Sequence, residues 1–156
     1  MREINLLVIH CSATPEGLDI GAKELRVMHL ARGFADIGYH YVIRLDGSVE
    51  KGRADDVIGA HAEGYNAHSL GICMVGGLDH ARAAKDTFTP AQWATLKTLV
   101  NRLTEKYAIG KIVGHRDLSP DLNHDGKITP NEWMKQCPCF DVREWLAREH
   151  ITGIPA

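Results

Sequence analysis

Two histidines, His10 and His115, each close an aliphatic run, Val8-Ile9-His10 and Ile112-Val113-Gly114-His115. In open α/β sheets, strand ends are where ligands collect, because the loops there leave a crevice. A soft third donor is available in Lys135-Gln136-Cys137-Pro138-Cys139. Two imidazoles and one thiolate fill three corners of a zinc tetrahedron, and a fourth corner open to water is the catalytic pattern. Zinc lowers the pKa of bound water from about 16 toward 7, which makes a nucleophile available at neutral pH. On spacing alone, either cysteine qualifies. The chain has nine histidines, so one at a strand end is more often packed than ligating, and no Cys-x-x-Cys or His-Glu-x-x-His pair adds support.

A second set of hard donors lies in Asp121-Leu122-Asn123-His124-Asp125-Gly126-Lys127-Ile128-Thr129-Pro130-Asn131-Glu132. It fits the calcium-loop pattern D-x-[DN]-x-[DN]-G-x₅-E at every defined position. Asp121, Asn123 and Asp125 offer side-chain oxygens, Lys127 its carbonyl and Glu132 two oxygens, while Gly126 permits the sharp turn. Pro120 stands where an entering helix would normally end, and no second loop is present to pair with this one. Thr129-Pro130-Asn131-Glu132 is also a capping box, which needs no metal.

The elements that must position these groups follow from periodicity. Ile4–Ile9 is a continuous aliphatic run and predicts a buried central strand ending at His10. Residues 22–32 carry Leu25, Met28, Leu30 and Ala31 at helical spacing, and Gly33 ends the helix. Gly38–Leu45, the Asp46-Gly47 turn and Ser48–Lys51 predict a hairpin, and Leu70–Val75 a further buried strand. Thr89-Pro90-Ala91-Gln92 opens the clearest helix with an N-cap, a first-turn proline and a capping glutamine. Its stripe of Trp93, Leu96, Leu99, Val100 and Leu103 runs toward Tyr107. Lys111–Gly114 is a short strand, and Val142–Glu149 a last helix with Trp145 and Leu146 on its inner face. Strands alternating with helices predict an α/β fold: a single mixed β-sheet of about five strands flanked by helices. One domain over residues 1–156 is expected, with the calcium-type loop inserted at about 119–134.

Composition narrows the class. The 156 residues are 44% hydrophobic and 24% charged, enough for one sizeable core under a polar surface. A net charge of −2 without a Lys/Arg run argues against nucleic acid as a partner. The apolar stretches are strand-length, so no membrane partner is expected. The first residues lead into a strand and lack the features of a secretory signal, so synthesis in the cytoplasm is expected. Four cysteines in a chain of this size predict free thiols or metal ligands rather than a disulfide frame, with Cys11 and Cys73 as buried strand filler.

Several motifs occur in order: Val8-Ile9-His10-Cys11-Ser12-Ala13-Thr14, Gly38-Tyr39-His40-Tyr41 with Asp46-Gly47, Gly114-His115-Arg116-Asp117, and Cys137-Pro138 with Phe140-Asp141. Gly59-Ala60-His61-Ala62, Gly64-Tyr65-Asn66, Ser69, Gly71-Ile72 and Val75-Gly76-Gly77 join them. Over residues 3 to about 147 the chain resembles the type-2 N-acetylmuramoyl-L-alanine amidases, the group of phage lysozyme-like amidases and peptidoglycan-recognition proteins. The resemblance implies that fold and a Zn2+ ion held by His10, His115 and Cys137, with Cys137 preferred over Cys139 because it stands just before Pro138. It further implies catalytic roles for Tyr39, hydrogen-bonding the attacking water or the reacting carbonyl, and for Lys135, beside the developing oxyanion. His61, Asn66 and Ser69 would contact the sugar or the peptide stem. The implied activity is hydrolysis of the bond between N-acetylmuramic acid and L-alanine in bacterial peptidoglycan. A monomeric phage or prophage endolysin is expected, reaching the wall after release or export, with Ca2+ as a second ion in the inserted loop. A receptor on the same fold would usually lack the third ligand, and a calcium-responsive interaction protein would hold calcium and no zinc.

Overall fold

The structure, a computed structural model, describes residues 1–151. Seven strands and three helices follow in the order β1 (Leu6–Cys11), β2 (Thr14–Pro15), α1 (Ala22–Ala31), β3 (Tyr41–Ile43), β4 (Val49–Lys51), β5 (Ser69–Met74), β6 (Gly77–Leu78), α2 (Pro90–Lys106), β7 (Lys111–Gly114) and α3 (Val142–Arg148). Five strands form one mixed sheet in the order β4-β3-β5-β1-β7, and β2 and β6 pair separately. β1, β3, β5 and β7 run parallel, and β4 returns antiparallel through the Asp46-Gly47 turn. Gly47 sits there at φ +86, while Asp46 Oδ1 accepts the Ser48 amide.

Alternation along β1 divides the sheet into two chemical faces. Leu7, Ile9 and Cys11 join Leu70, Ile72 and Met74 of β5 in the main core, against Leu96, Leu99, Val100 and Leu103 of α2 and Val142, Trp145 and Leu146 of α3. The opposite face carries His10 on β1 and Ser69 and Gly71 on β5, because successive strand residues point to opposite sides. A smaller core on that side packs Leu25 of α1 against Val42, Cys73 and Val75. Burying one leucine-sized side chain contributes roughly 1.5–3 kcal/mol, so the α2–α3 layer is the main anchor of the sheet.

α2 begins as its sequence requires. Thr89 Oγ1 accepts the Gln92 amide at 3.1 Å, and Gln92 Oε1 accepts the Thr89 amide at 2.9 Å. Fully buried Gln92 also donates Nε2 to the carbonyls of Ile43 and Val75, tying the helix start to the sheet.

Two expectations are corrected. β1 runs from Leu6 to Cys11 rather than Ile4–Ile9, so His10 lies within the strand and is 1% exposed. In α1 only Leu25 of the four apolar positions is buried; Met28 and Leu30 are 42% and 39% exposed. His29 takes the inner face instead, because its Nδ1 accepts the Gly38 amide at 2.8 Å.

Candidate metal centre and active-site groove

Parallel pairing of β1 with β7 sets Ile9 opposite Gly114, so His10 on β1 and His115, the first residue after β7, come next to each other. Their ring centroids are 4.6 Å apart. The third group arrives from the loop before α3: Arg116 N–H donates to the Cys137 carbonyl at 2.8 Å. Cys137 Sγ then lies 3.8 Å from His10 Nδ1. One ligand atom from each of His10, His115 and Cys137 falls within 4.8 Å of the others, a spacing that one ion can span.

The chemistry of this donor set suits zinc. Burial, reinforced by His61, His115 and Lys135, holds the His10 pKa well below the usual imidazole value. Burial and then the Lys135 charge bring His115 down to about 4. Both rings are therefore neutral at pH 7, the form in which imidazole binds a metal. The Cys11 backbone N–H donates to Cys137 Sγ at 3.1 Å. Cys11 itself is a thiol: its contact with Cys137, aided by burial, pushes its pKa up to about 12. Cys139 lies outside the cluster, with its sulfur against Cys11 at 3.7 Å.

Behind these three side chains lies a chain of polar groups. His10 Nε2 is 2.9 Å from His61 Nδ1, and His61 Nε2 is 3.1 Å from Ser69 Oγ. Asn66 Oδ1 accepts the amides of both His61 and Ala62, which fixes the segment bearing the ring. Gly71 has to be glycine here, since a Cβ would come within 2.6 Å of the His61 ring. Burial, with the charges of His40 and His115, lowers the His61 pKa to about 3, so this ring too is neutral.

In front of His10, His115 and Cys137 opens a groove of about 630 Å3. Tyr39 and Lys135 both line it, together with His61 and Asn66. The Tyr39 ring stands 5.1 Å from that of His10, and burial pushes its phenol pKa well above 10, so it remains a hydrogen-bond donor. Lys135 is exposed to solvent. Ser69 does not reach the groove; with no exposed surface it sits behind His61, which corrects its expected role as a substrate contact. Sequence reasoning misses Arg32, Phe34 and Met134 in the groove wall, because no motif spacing marks them.

The Asp121–Glu132 loop gathers Asp121, Asp125 and Glu132, one oxygen from each lying within 4.8 Å of the others. Asp121 Oδ2 accepts the Gly126 amide, and Oδ1 is buried without a hydrogen-bond partner. Asp125 Oδ1 accepts the Lys127 amide, and Asn123 Oδ1 accepts the Asp125 amide. Glu132 is 5% exposed; its carboxylate accepts from the amides of Leu122, Asn123 and Thr129. The capping contact and the convergent carboxylates therefore coexist. The neck of the loop is closed by Met134 N–H donating to Ser119 Oγ and by Arg116 stacked 3.8 Å over the Trp133 ring.

A family profile described as N-acetylmuramoyl-L-alanine amidase matches residues 1–139. The chain is 37% identical over 151 residues to an endolysin of Klebsiella phage KP32, covering 97% of this chain and 91% of that protein. It is 36% identical over 146 residues to an endolysin of Escherichia phage T7, covering 94% and 87%. Among solved structures, N-acetylmuramoyl-L-alanine amidase LysC from Clostridium intestinale superposes with a TM-score of 0.74 at 26% identity, covering 97% of this chain and 88% of the other. Drosophila PGRP-LB does so with a TM-score of 0.70 at 26% identity, covering 99% and 86%.

Proposed function

The chain belongs to the N-acetylmuramoyl-L-alanine amidase family, and from that premise we propose that it is a zinc-dependent endolysin cutting the bond between N-acetylmuramic acid and L-alanine in peptidoglycan. The observation carrying the zinc assignment is the convergence of His10, His115 and Cys137 beside a groove of about 630 Å3. Zinc held by these three groups would polarise the scissile carbonyl and lower the pKa of the attacking water.

The remaining work falls to the chain. Tyr39, kept protonated by burial, donates its O–H to the reacting carbonyl oxygen or the attacking water. Lys135 brings an ammonium to the oxyanion that develops as the carbonyl carbon becomes tetrahedral. His61 and Ser69 hold His10 with its Nδ1 toward Cys137. His61 and Asn66 line the groove where sugar or stem peptide would lie.

The inserted loop, at about 119–134, is assigned Ca2+ through Asp121, Asn123, Asp125, the Lys127 carbonyl and Glu132. Its task is to hold in place the segment that carries Lys135 and Cys137. The chain acts as a single-domain monomer made in the cytoplasm and delivered to the wall by release or export.

Mass analysis of digested peptidoglycan tests the bond. Free stem peptides beginning with L-alanine are expected, together with about one zinc per chain. Release of intact glycan fragments bearing peptides, or binding without any release, would defeat the assignment.

A further inference from the structure

Two sulfurs beside the metal centre take no part in it. Cys11 Sγ and Cys139 Sγ lie 3.7 Å apart although 128 positions separate them in the chain. Cys11 is 3% exposed at the end of β1, and Cys139 is half-buried against the same apolar cluster. Gly77 makes room for the Cys11 sulfur, which a Cβ there would approach to 2.7 Å, and lies in contact range of the Cys139 sulfur, 3.5 Å from the same point. Backbone contacts hold both segments, with Ser12 N–H donating to the Met74 carbonyl and Cys139 N–H to the Gln136 carbonyl. Closing the sulfurs to the roughly 2.05 Å of a disulfide is a small local movement.

Each cysteine flanks a metal-site residue. Cys11 follows His10 directly, and Cys139 stands two places after Cys137. The substrate of the proposed reaction lies outside the cytoplasm, where disulfides form and persist. We propose that Cys11 and Cys139 join as a disulfide when the chain enters an oxidising compartment, and that this cystine braces the two segments carrying His10 and Cys137. The pairing stands on the sulfur geometry; the bracing rests on the zinc assignment above.

The oxidation balances with a small-molecule disulfide such as oxidised glutathione. The more exposed sulfur, Cys139, attacks one glutathione sulfur as its thiolate, expelling a glutathione thiolate and leaving a mixed disulfide. Cys11 then attacks the Cys139 sulfur and expels the second glutathione. The two thiol protons end on the two expelled glutathione thiolates, the two protein thiols lose two electrons, and one oxidised glutathione becomes two reduced ones. Burial of Cys11 makes the uncatalysed exchange slow, on the order of minutes to hours.

Cys137 is the competing partner, since its sulfur accepts the Cys11 amide. The test therefore uses the full chain with and without added zinc, held in a glutathione mixture as oxidising as extracytoplasmic compartments. The chain is then denatured, alkylated and mapped by fragment-ion mass spectrometry. With zinc, the expected product has Cys73 and Cys137 alkylated and a Cys11–Cys139 cross-link, absent in Cys139→Ser and retained in Cys73→Ser. Removal of zinc by chelator should then be at least about tenfold slower from the oxidised chain than from the reduced one. Four alkylated cysteines, or a cross-link through Cys137 or Cys73 in the zinc-loaded chain, would overturn the pairing. An unchanged rate of zinc loss from a correctly cross-linked chain would overturn the bracing alone. Failure of the chain to take up zinc is visible separately by metal analysis and leaves the cross-link readable in the zinc-free arm.

Discussion

His61 Nδ1 lies 2.9 Å from Nε2 of His10, while the other nitrogen of His10 faces the Cys137 sulfur at 3.8 Å. A His10 ring that binds metal through Nδ1 carries its proton on Nε2, and His61 Nδ1 is then the acceptor that fixes this tautomer. Such outer partners typically account for 10–100-fold in metal affinity. His61→Leu, which removes the acceptor, should weaken zinc binding by about 10–100-fold in a chelator competition. His61→Asn, whose amide oxygen can stand near the lost Nδ1, should recover most of it. Equal zinc affinity in native chain and His61→Leu, with the fold intact by circular dichroism, would remove His61 from this role.

Tyr39 and Lys135 reach the same groove from opposite regions of the chain, one just before β3 and the other beyond the inserted loop. Neither belongs to the ligand cluster. Lys135→Ala should therefore lower the rate of peptidoglycan release by about 10²–10³ while zinc content stays near that of the native chain. Tyr39→Phe, which keeps the ring and deletes only the donor, should show a loss of the same order, about 10² or more. Wild-type turnover by both variants with zinc retained would show that neither group stabilises the reacting oxygen.

What is legible in the sequence is what local chemistry dictates. The cap of α2 is written in Thr89, Pro90 and Gln92 because capping needs only neighbours three positions apart. His10 and His115 are legible because each closes an apolar run, and parallel strands bring such ends together. The inner face of α1 is not: counting apolar residues favours Met28 and Leu30, whereas His29 is drawn inside by the Gly38 amide. That bond depends on a turn no periodicity describes. Ser69 is misread for a related reason. The resemblance offers it as a substrate contact, but its pairing with Leu6 makes it the first residue of β5, turned toward His61 behind the groove. The contacts Cys11–Cys139 and His10–His61 span 128 and 51 positions, so only the completed sheet reveals them.

Away from the groove, Asp55 gathers four donor contacts from three side chains: Tyr41 O–H to both oxygens, Tyr107 O–H at 2.6 Å and Lys51 Nζ at 2.7 Å. Partial burial acts to raise its pKa, but the bonds from Lys51, Tyr107 and Tyr41 outweigh it and bring the group down to about 2. A carboxylate depressed in the folded state stabilises the fold above its unfolded pKa of about 3.9, and the contribution is lost as pH falls through the folded value. Allowing for solvent screening, about 1–2 kcal/mol is at stake. Asp55→Asn should therefore be less stable than the native chain at pH 5–7, and the gap should narrow between about pH 4 and pH 2. Urea midpoints for both proteins across that range check it; a gap that stays constant would mean that the Asp55 charge contributes nothing.

The Asp121–Glu132 loop permits the calcium assignment to be separated from helix capping. Glu132 serves both functions, since its carboxylate accepts from Thr129 as a cap and also faces Asp121 and Asp125, so replacing it would confound them. Asp125 is exposed, and its one backbone acceptor contact, from the Lys127 amide, would survive in Asp125→Asn. That variant loses a charge from the cluster and, besides it, only the 3.3 Å contact that Oδ2 accepts from Asn123 Nδ2. Saturating calcium at about 100 times its dissociation constant stabilises a fold by about 2.7 kcal/mol, which for a domain of this size raises the melting midpoint by roughly 5–10 °C. The zinc-loaded native chain should show that rise when calcium is added after a calcium-selective chelator, and Asp125→Asn should show little of it. In the absence of calcium the two should melt within about a degree of each other, because the Lys127 contact is kept in both. A native midpoint indifferent to calcium, joined to a flat isothermal titration, would leave the loop an acidic turn held by Glu132 alone.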